Sequence, residues 1–138
     1  PFEIRSGSEK VTRRFFKICN NGRESFTGLY KSLTEQGICN GHQCIAYGLY
    51  MRDNGIELSE GLAVYGYSIC SAIVTNCVKL VPLSQLAGQK ILGESFELIS
   101  SASEKALFTD INDIGISGAG FDLRAMQHER LYSRQYMS

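Results

Sequence analysis

"GLAVYGYSICSAIVTNCV", residues 61–78, carries no charged side chain over 18 positions. Its reading decides the fold. That length is the lower limit for a helix that crosses a bilayer. Against a span, the run contains Tyr65, Tyr67, Ser68, Ser71, Thr75 and Asn76, and no basic residue flanks its N-terminal side. A helix apolar all round is equally the central helix of a soluble bundle. The run is therefore read as a buried core helix. Ser59, ahead of Glu60, is its N-cap, and it closes near Val81 because Pro82 disfavours helical geometry in the residue before it.

The sequence on either side is helical in pattern. Val11, Phe15, Ile18 and Cys19 fall on one face before the stop signal Asn20-Asn21-Gly22. Phe26, Leu29, Tyr30 and Leu33 repeat the spacing before Gly37, and Ile45, Leu49 and Tyr50 repeat it before Asn54-Gly55. Ser84 opens a further helix with Ala87, Ile91, Leu98 and Ile99 directed inward. No long stretch alternates with period two. The expectation is an all-α bundle of about five to six helices, forming a single domain over residues 1–138. "DIGISGAG", residues 113–120, is a Gly-rich loop that sets residues 121–138 apart as a tail uncoupled from the core.

Composition excludes several classes. At 138 residues and 43% apolar content the chain is long enough to bury a core and too apolar to be disordered. A formal net charge of zero leaves no overall electrostatic footprint for nucleic acid or an anionic membrane. Charge is nevertheless uneven: residues 1–24 hold six Arg/Lys against three Glu, and residues 94–113 hold five acids against Lys105. Five cysteines make an odd count without the spacing of a small secreted domain, and no signal-peptide pattern opens the sequence. Reduced thiols in the cytoplasm are the expectation.

Candidate chemistry is sparse. "CNGHQC" places Cys39, His42 and Cys44 within six residues, and these are ligand types for zinc or nickel. A closed site needs four ligands, and the C-x2-H-x-C spacing has no matching second half. The alternatives are a helical metal-binding domain or enzyme built on these three residues, and free cysteines acting as small core hydrophobes. Neither His42 nor His128 adjoins a nucleophile motif, and "GISGAG" is not a phosphate-binding loop. Lys79 closes the uncharged run. A cation in the last helical turn is favoured by the helix dipole, which explains it without a function.

The chain closes on "AMQHERLYSRQYMS", residues 125–138. Termini are usually small and polar, yet this one offers Met126, His128, Arg130, Leu131, Tyr132, Arg134 and Tyr136. Tyr, Met and Arg are the residue types enriched at protein interfaces. A helix packed on its own body and a weak RNA-binding patch are the competing readings.

These motifs carry a resemblance. "NCVKLVPLSQLAGQKIL" (76–92) and the closing "AMQHERLYSRQYMS" resemble the UreF family of urease accessory proteins, and "GHQCIAYGL" (41–49) and "PFEIRSGSEKVTRRF" (1–15) fit it in the same order. The closing motif is most similar to members of the Helicobacter kind. The resemblance implies the C-terminal portion of a longer all-helical, cytoplasmic protein, since the family's "FPxGxxxHSxGLE"-like stretch is not in the sequence. It implies an accessory factor with no catalytic activity or cofactor of its own. Such a factor binds the accessory protein UreD (UreH in Helicobacter), recruits the GTPase UreG, and through that complex serves nickel delivery to apo-urease. Homodimers are implied as well, and the zero net charge adds the expectation of no nucleic acid or membrane partner. Carried onto this chain, the resemblance gives Lys79 a partner contact and Arg134 a part in GTPase recruitment, with Tyr132, Tyr136, Met126, His128, Arg130 and Leu131 around it. Cys44 stands where the family often has Pro in a G-H-x-P pattern, which counts against a metal site at "CNGHQC".

Overall fold

The computed structural model describes residues 1–19, 22–115 and 118–132. Among them are seven α-helices and a short 3-10 turn, and no strand. The helices are α1 (Phe2–Ile18), α2 (Phe26–Glu35), α3 (Gln43–Asp53), α4 (Leu58–Leu80), α5 (Gln85–Glu94), α6 (Phe96–Leu107) and α7 (Ala119–His128), with the turn at Ile111–Asp113. The fold is all-α as the pattern predicts, with more helices than the five to six expected. The additional division falls at Ser95, which ends α5 and begins α6. Leu92 and Ile99 are the buried residues there, Ile99 as expected, while Ile91 and Leu98, also expected inward, are exposed.

The chain divides into two compact units, Pro1–Asn54 with Gly115–Ser138, and Gly55–Ile114. In the first, α3 packs on α1 and α2, and α7 packs on α1. Its core is Phe16, Tyr30 and Ala46, with Phe15, Cys39 and Leu49 against it. The buried face of α1 carries Thr12 and Phe16. It is rotated from the Val11–Phe15–Ile18 face expected from spacing, and Ile18 is exposed. The reason is aromatic packing: Phe15 stacks on Tyr47 at 4.5 Å and meets Tyr50 edge-on at 5.3 Å, while Phe16 meets Tyr30 at 6.0 Å. Polar bonds fix the helices end to end. The Asp53 carboxylate, at the end of α3, accepts from the Phe26 and Thr27 amides at 2.9 and 2.8 Å and from the Thr27 hydroxyl at 2.6 Å. It satisfies first-turn donors of α2 and places a negative charge at the positive end of its dipole. Ser25 adds the N-cap bond, accepting from the Gly28 amide.

In the second unit α4 packs on α5 and α6, which also touch each other. The stop at Pro82 is as read: Val81 is extended, at φ −116° and ψ 147°. The start differs. α4 opens at Leu58 behind Glu57, with no side-chain cap bond, and Ser59 lies inside the helix. Ser84 does cap α5, accepting from the Ala87 amide.

Burial of α4 on all sides is not what the structure shows. By length and composition α4 could cross a membrane, and only 6% of its most apolar stretch is buried among the described residues. The packed side is set by glycines: a Cβ on Gly66 would meet Ile99 at 3.0 Å, and one on Gly88 would meet Val78 at 2.7 Å and Val74 at 3.3 Å. Tyr67 stacks on Phe96 at 5.9 Å. Away from that seam Ile73 is more than half exposed. Two helices, α5 and α6, cover one side of α4.

Gly88→Ala is expected to destabilise this unit by about 1–3 kcal/mol, because β-branched Val74 and Val78 have little rotamer freedom to retreat from a new methyl. Urea denaturation followed by circular dichroism checks it, and an unchanged midpoint would show that the α4–α5 seam is loosely packed.

Candidate functional site

The stretch richest in ligand-type residues turns out to be a structural turn. Tyr30, 6% exposed, sends its hydroxyl into the link between α2 and α3. It donates to the Asn40 carbonyl at 2.6 Å and accepts from the His42 backbone amide at 2.9 Å. Gly41 between them has no room for a side chain, since a Cβ would lie 3.0 Å from Thr34 and 3.6 Å from Thr12. His42 is the N-cap residue of α3, Cys39 lies partly buried against the core, and Cys44 is exposed. No group of three or more His, Cys, Asp or Glu side chains that could hold a metal ion is present among the described residues. The C-x2-H-x-C stretch thus lies on a turn folded over a phenol. All five cysteines are free. Burial pushes the Cys19 thiol up, away from the reactive thiolate.

Burial also pushes the Tyr30 phenol above its ordinary range, and the His42 amide partly offsets this. An acid whose folded pKa is raised contributes stability that is present below its unfolded pKa and lost as pH climbs through the folded one. Tyr30→Phe should lower the stability of this unit by about 1 kcal/mol, by leaving the His42 amide and the Asn40 carbonyl one bond poorer. It should also remove the part of the alkaline destabilisation due to this phenol. Urea titrations at neutral and alkaline pH check both, and wild-type stability for the variant would show that the turn holds without the hydroxyl.

The second unit offers a groove of about 440 Å³ between α4 and α6, floored by Ala63, Val64, Tyr67, Phe96, Ile99 and Leu107. Three serines and Glu104 complete its lining, which includes no His, Cys or Lys. That composition suits apolar packing and supplies no nucleophile–base pair. Lys79 lies exposed in the last turn of α4.

The closing segment behaves differently from its reading as an uncoupled tail. α7 is docked on α1, and His128 Nδ1 lies 2.7 Å from Glu3 Oε2. Beyond His128 the chain leaves the helix, and Leu131 and Tyr132 are exposed, Tyr132 completely. Met126 is half exposed on α7, and Arg130 is exposed beyond it. Arg134 and Tyr136 lie outside the described residues.

The sequence model of the UreF family matches residues 1–95. The chain belongs to the UreF family. Similarity to individual members extends further along it. It is 34% identical over 137 residues to the urease accessory protein UreF of Streptococcus thermophilus, covering 99% of this chain and 58% of that protein. It is 31% identical over 140 residues to that of Paenarthrobacter aurescens, covering 99% and 61%, and 34% identical over 137 residues to that of Actinobacillus pleuropneumoniae, covering 99% and 60%. The chain therefore spans about three-fifths of the length of these relatives.

Asp53, Tyr30 and Glu3 are the positioning residues that sequence reasoning missed. Their partners are 27, 12 and 125 residues away, and no local spacing signals such pairs.

Proposed function

We propose that this chain is the part of a cytoplasmic urease accessory protein that joins a UreD (UreH)-type protein to the GTPase UreG while the nickel centre of urease is assembled. It works as one helical domain within a homodimer, residues 121–138 form its partner-binding tail, and nickel is cargo of the assembly. The UreF relationship supports the urease context. The single structural observation that favours the tail is its exposure: Met126, Leu131 and Tyr132 each show half or more of their surface to solvent. Large apolar and aromatic side chains in that state, beside Arg130, fit the anchors of a protein interface. Arg134 adds a planar bidentate donor that Lys cannot replace.

Co-purification of the full-length protein with each candidate partner, followed by a urease activation assay, tests the assignment. Arg134→Ala should weaken GTPase recruitment by roughly 2 kcal/mol or more, the size of an interface hot spot. Deletion of residues 121–138 should additionally lose the UreD-type partner. Undiminished binding of both partners by the truncated protein would mean that the segment serves only its own fold.

Lys79 is proposed as a second contact. Lys79→Ala should leave the helical content intact and reduce urease activation. Loss of its dipole interaction alone would cost at most about 1 kcal/mol at an exposed site. Full activation by the variant would return Lys79 to a purely structural role.

A further inference from the structure

α7 buries none of its large apolar side chains: Phe121, Leu123 and Met126 are each more than half exposed, while Asp122, Ala125, His128 and Glu129 are the half-buried residues. An ordinary surface helix buries its apolar stripe and exposes its polar one. Apolar burial therefore does not account for how α7 is seated on α1.

Polar bonds to one residue do. His128 Nδ1 lies 2.7 Å from Glu3 Oε2, with the two side chains 43% and 28% exposed. The Glu3 backbone amide donates to Glu129 Oε1 at 3.3 Å. Two adjacent residues leaving α7 thus grip the side chain and the backbone of a single residue on α1. One bond would leave α7 free to roll about its axis. Two, from side chains about 100° apart around the helix, fix the roll.

We propose that Glu3, His128 and Glu129 are positioning residues, forming a polar clasp that holds α7 with its large apolar residues exposed and sets the direction in which Leu131 and Tyr132 are presented. The proposal rests on the reading of residues 121–138 as a partner-binding tail. Glu3 is outside that tail, so a change there reaches the partner only through α7.

Amide hydrogen exchange of the full-length protein tests the clasp without any partner. Glu3→Ala and His128→Ala are each expected to speed exchange across residues 121–129 about fivefold or more, with α2–α6 unchanged. The double variant should be no faster than either single one if the two residues act on each other. Glu3→Gln, which keeps a hydrogen-bonding group, should fall between Glu3→Ala and wild type. Unaltered exchange in Glu3→Ala, or additive effects in the double variant, would overturn the clasp. Affinity for the purified UreD-type partner tests the positioning. Glu3→Ala should weaken it severalfold, and unchanged affinity alongside faster exchange would overturn that role. Leu131→Ser with Tyr132→Ser separates the two ideas. It should abolish binding without altering exchange in α7, and if binding persists the tail reading fails while the exchange result still decides the clasp.

Discussion

The buried phenol of Tyr30 is the interaction on which the first unit depends. Its ring completes the core with Phe16 and Ala46, one residue from each of three helices. Its hydroxyl bonds on both sides of Gly41, so the link after α2 folds back and α3 starts where it can pack on α1 and α2. A phenol so deeply placed must satisfy its hydroxyl, and the turn supplies both an acceptor and a donor. From there the order of the unit propagates by polar bonds at helix ends: Ser8 Oγ accepts from the Gln43 amide, Asp53 caps α2, and Glu3 receives the end of α7.

The second unit rests on a different constraint, the close approach of α5 and α6 to one side of α4. Gly66 and Gly88 permit it, since both stand where a methyl would press on a branched side chain. Glycine in a helix costs roughly 1 kcal/mol against alanine, and here that cost is offset by packing. The remaining circumference of α4 stays open, with Ser68, Ser71, Thr75 and Asn76 among its apolar residues. The first unit contrasts with it, because its exposed apolar residues near the chain end are presented by polar contacts rather than left over from one-sided packing.

The two units also separate two kinds of functional reasoning. Ligand-type residues close in sequence drew attention to "CNGHQC", yet its backbone forms a turn bonded to Tyr30, and Cys39 lies at the core edge while Cys44 is exposed. The closing motif, in contrast, has no chemistry of its own to assemble. Its character lies in residue types, Met, Leu, Tyr and Arg, whose use at interfaces follows from size, stiffness and hydrogen-bonding geometry. Such residues are informative where they are exposed, and exposure is not a property of a sequence window.

By itself the sequence determined the helical class, the stop of α4 before Pro82 and the cap of α5 at Ser84. Each of these follows from backbone stereochemistry and side-chain bonding within a few residues. The motifs also carried the family, because they are long and fall in order along the chain. Tertiary structure alone decided which side of each helix is inward. Thr12 and Phe16 displace the expected face of α1, with the Tyr30 ring of α2 against Phe16, while Phe15 of the expected face keeps its contacts with the rings of α3. Ser95 divides one expected helix into two, and Leu92 rather than Ile91 is buried along with Ile99. Seating α7 by its polar side depends on Glu3, 125 residues away in the chain from His128. Local rules act within a turn or two of helix. The roll of a helix about its axis is set by whatever lies across from it, which folding alone brings near.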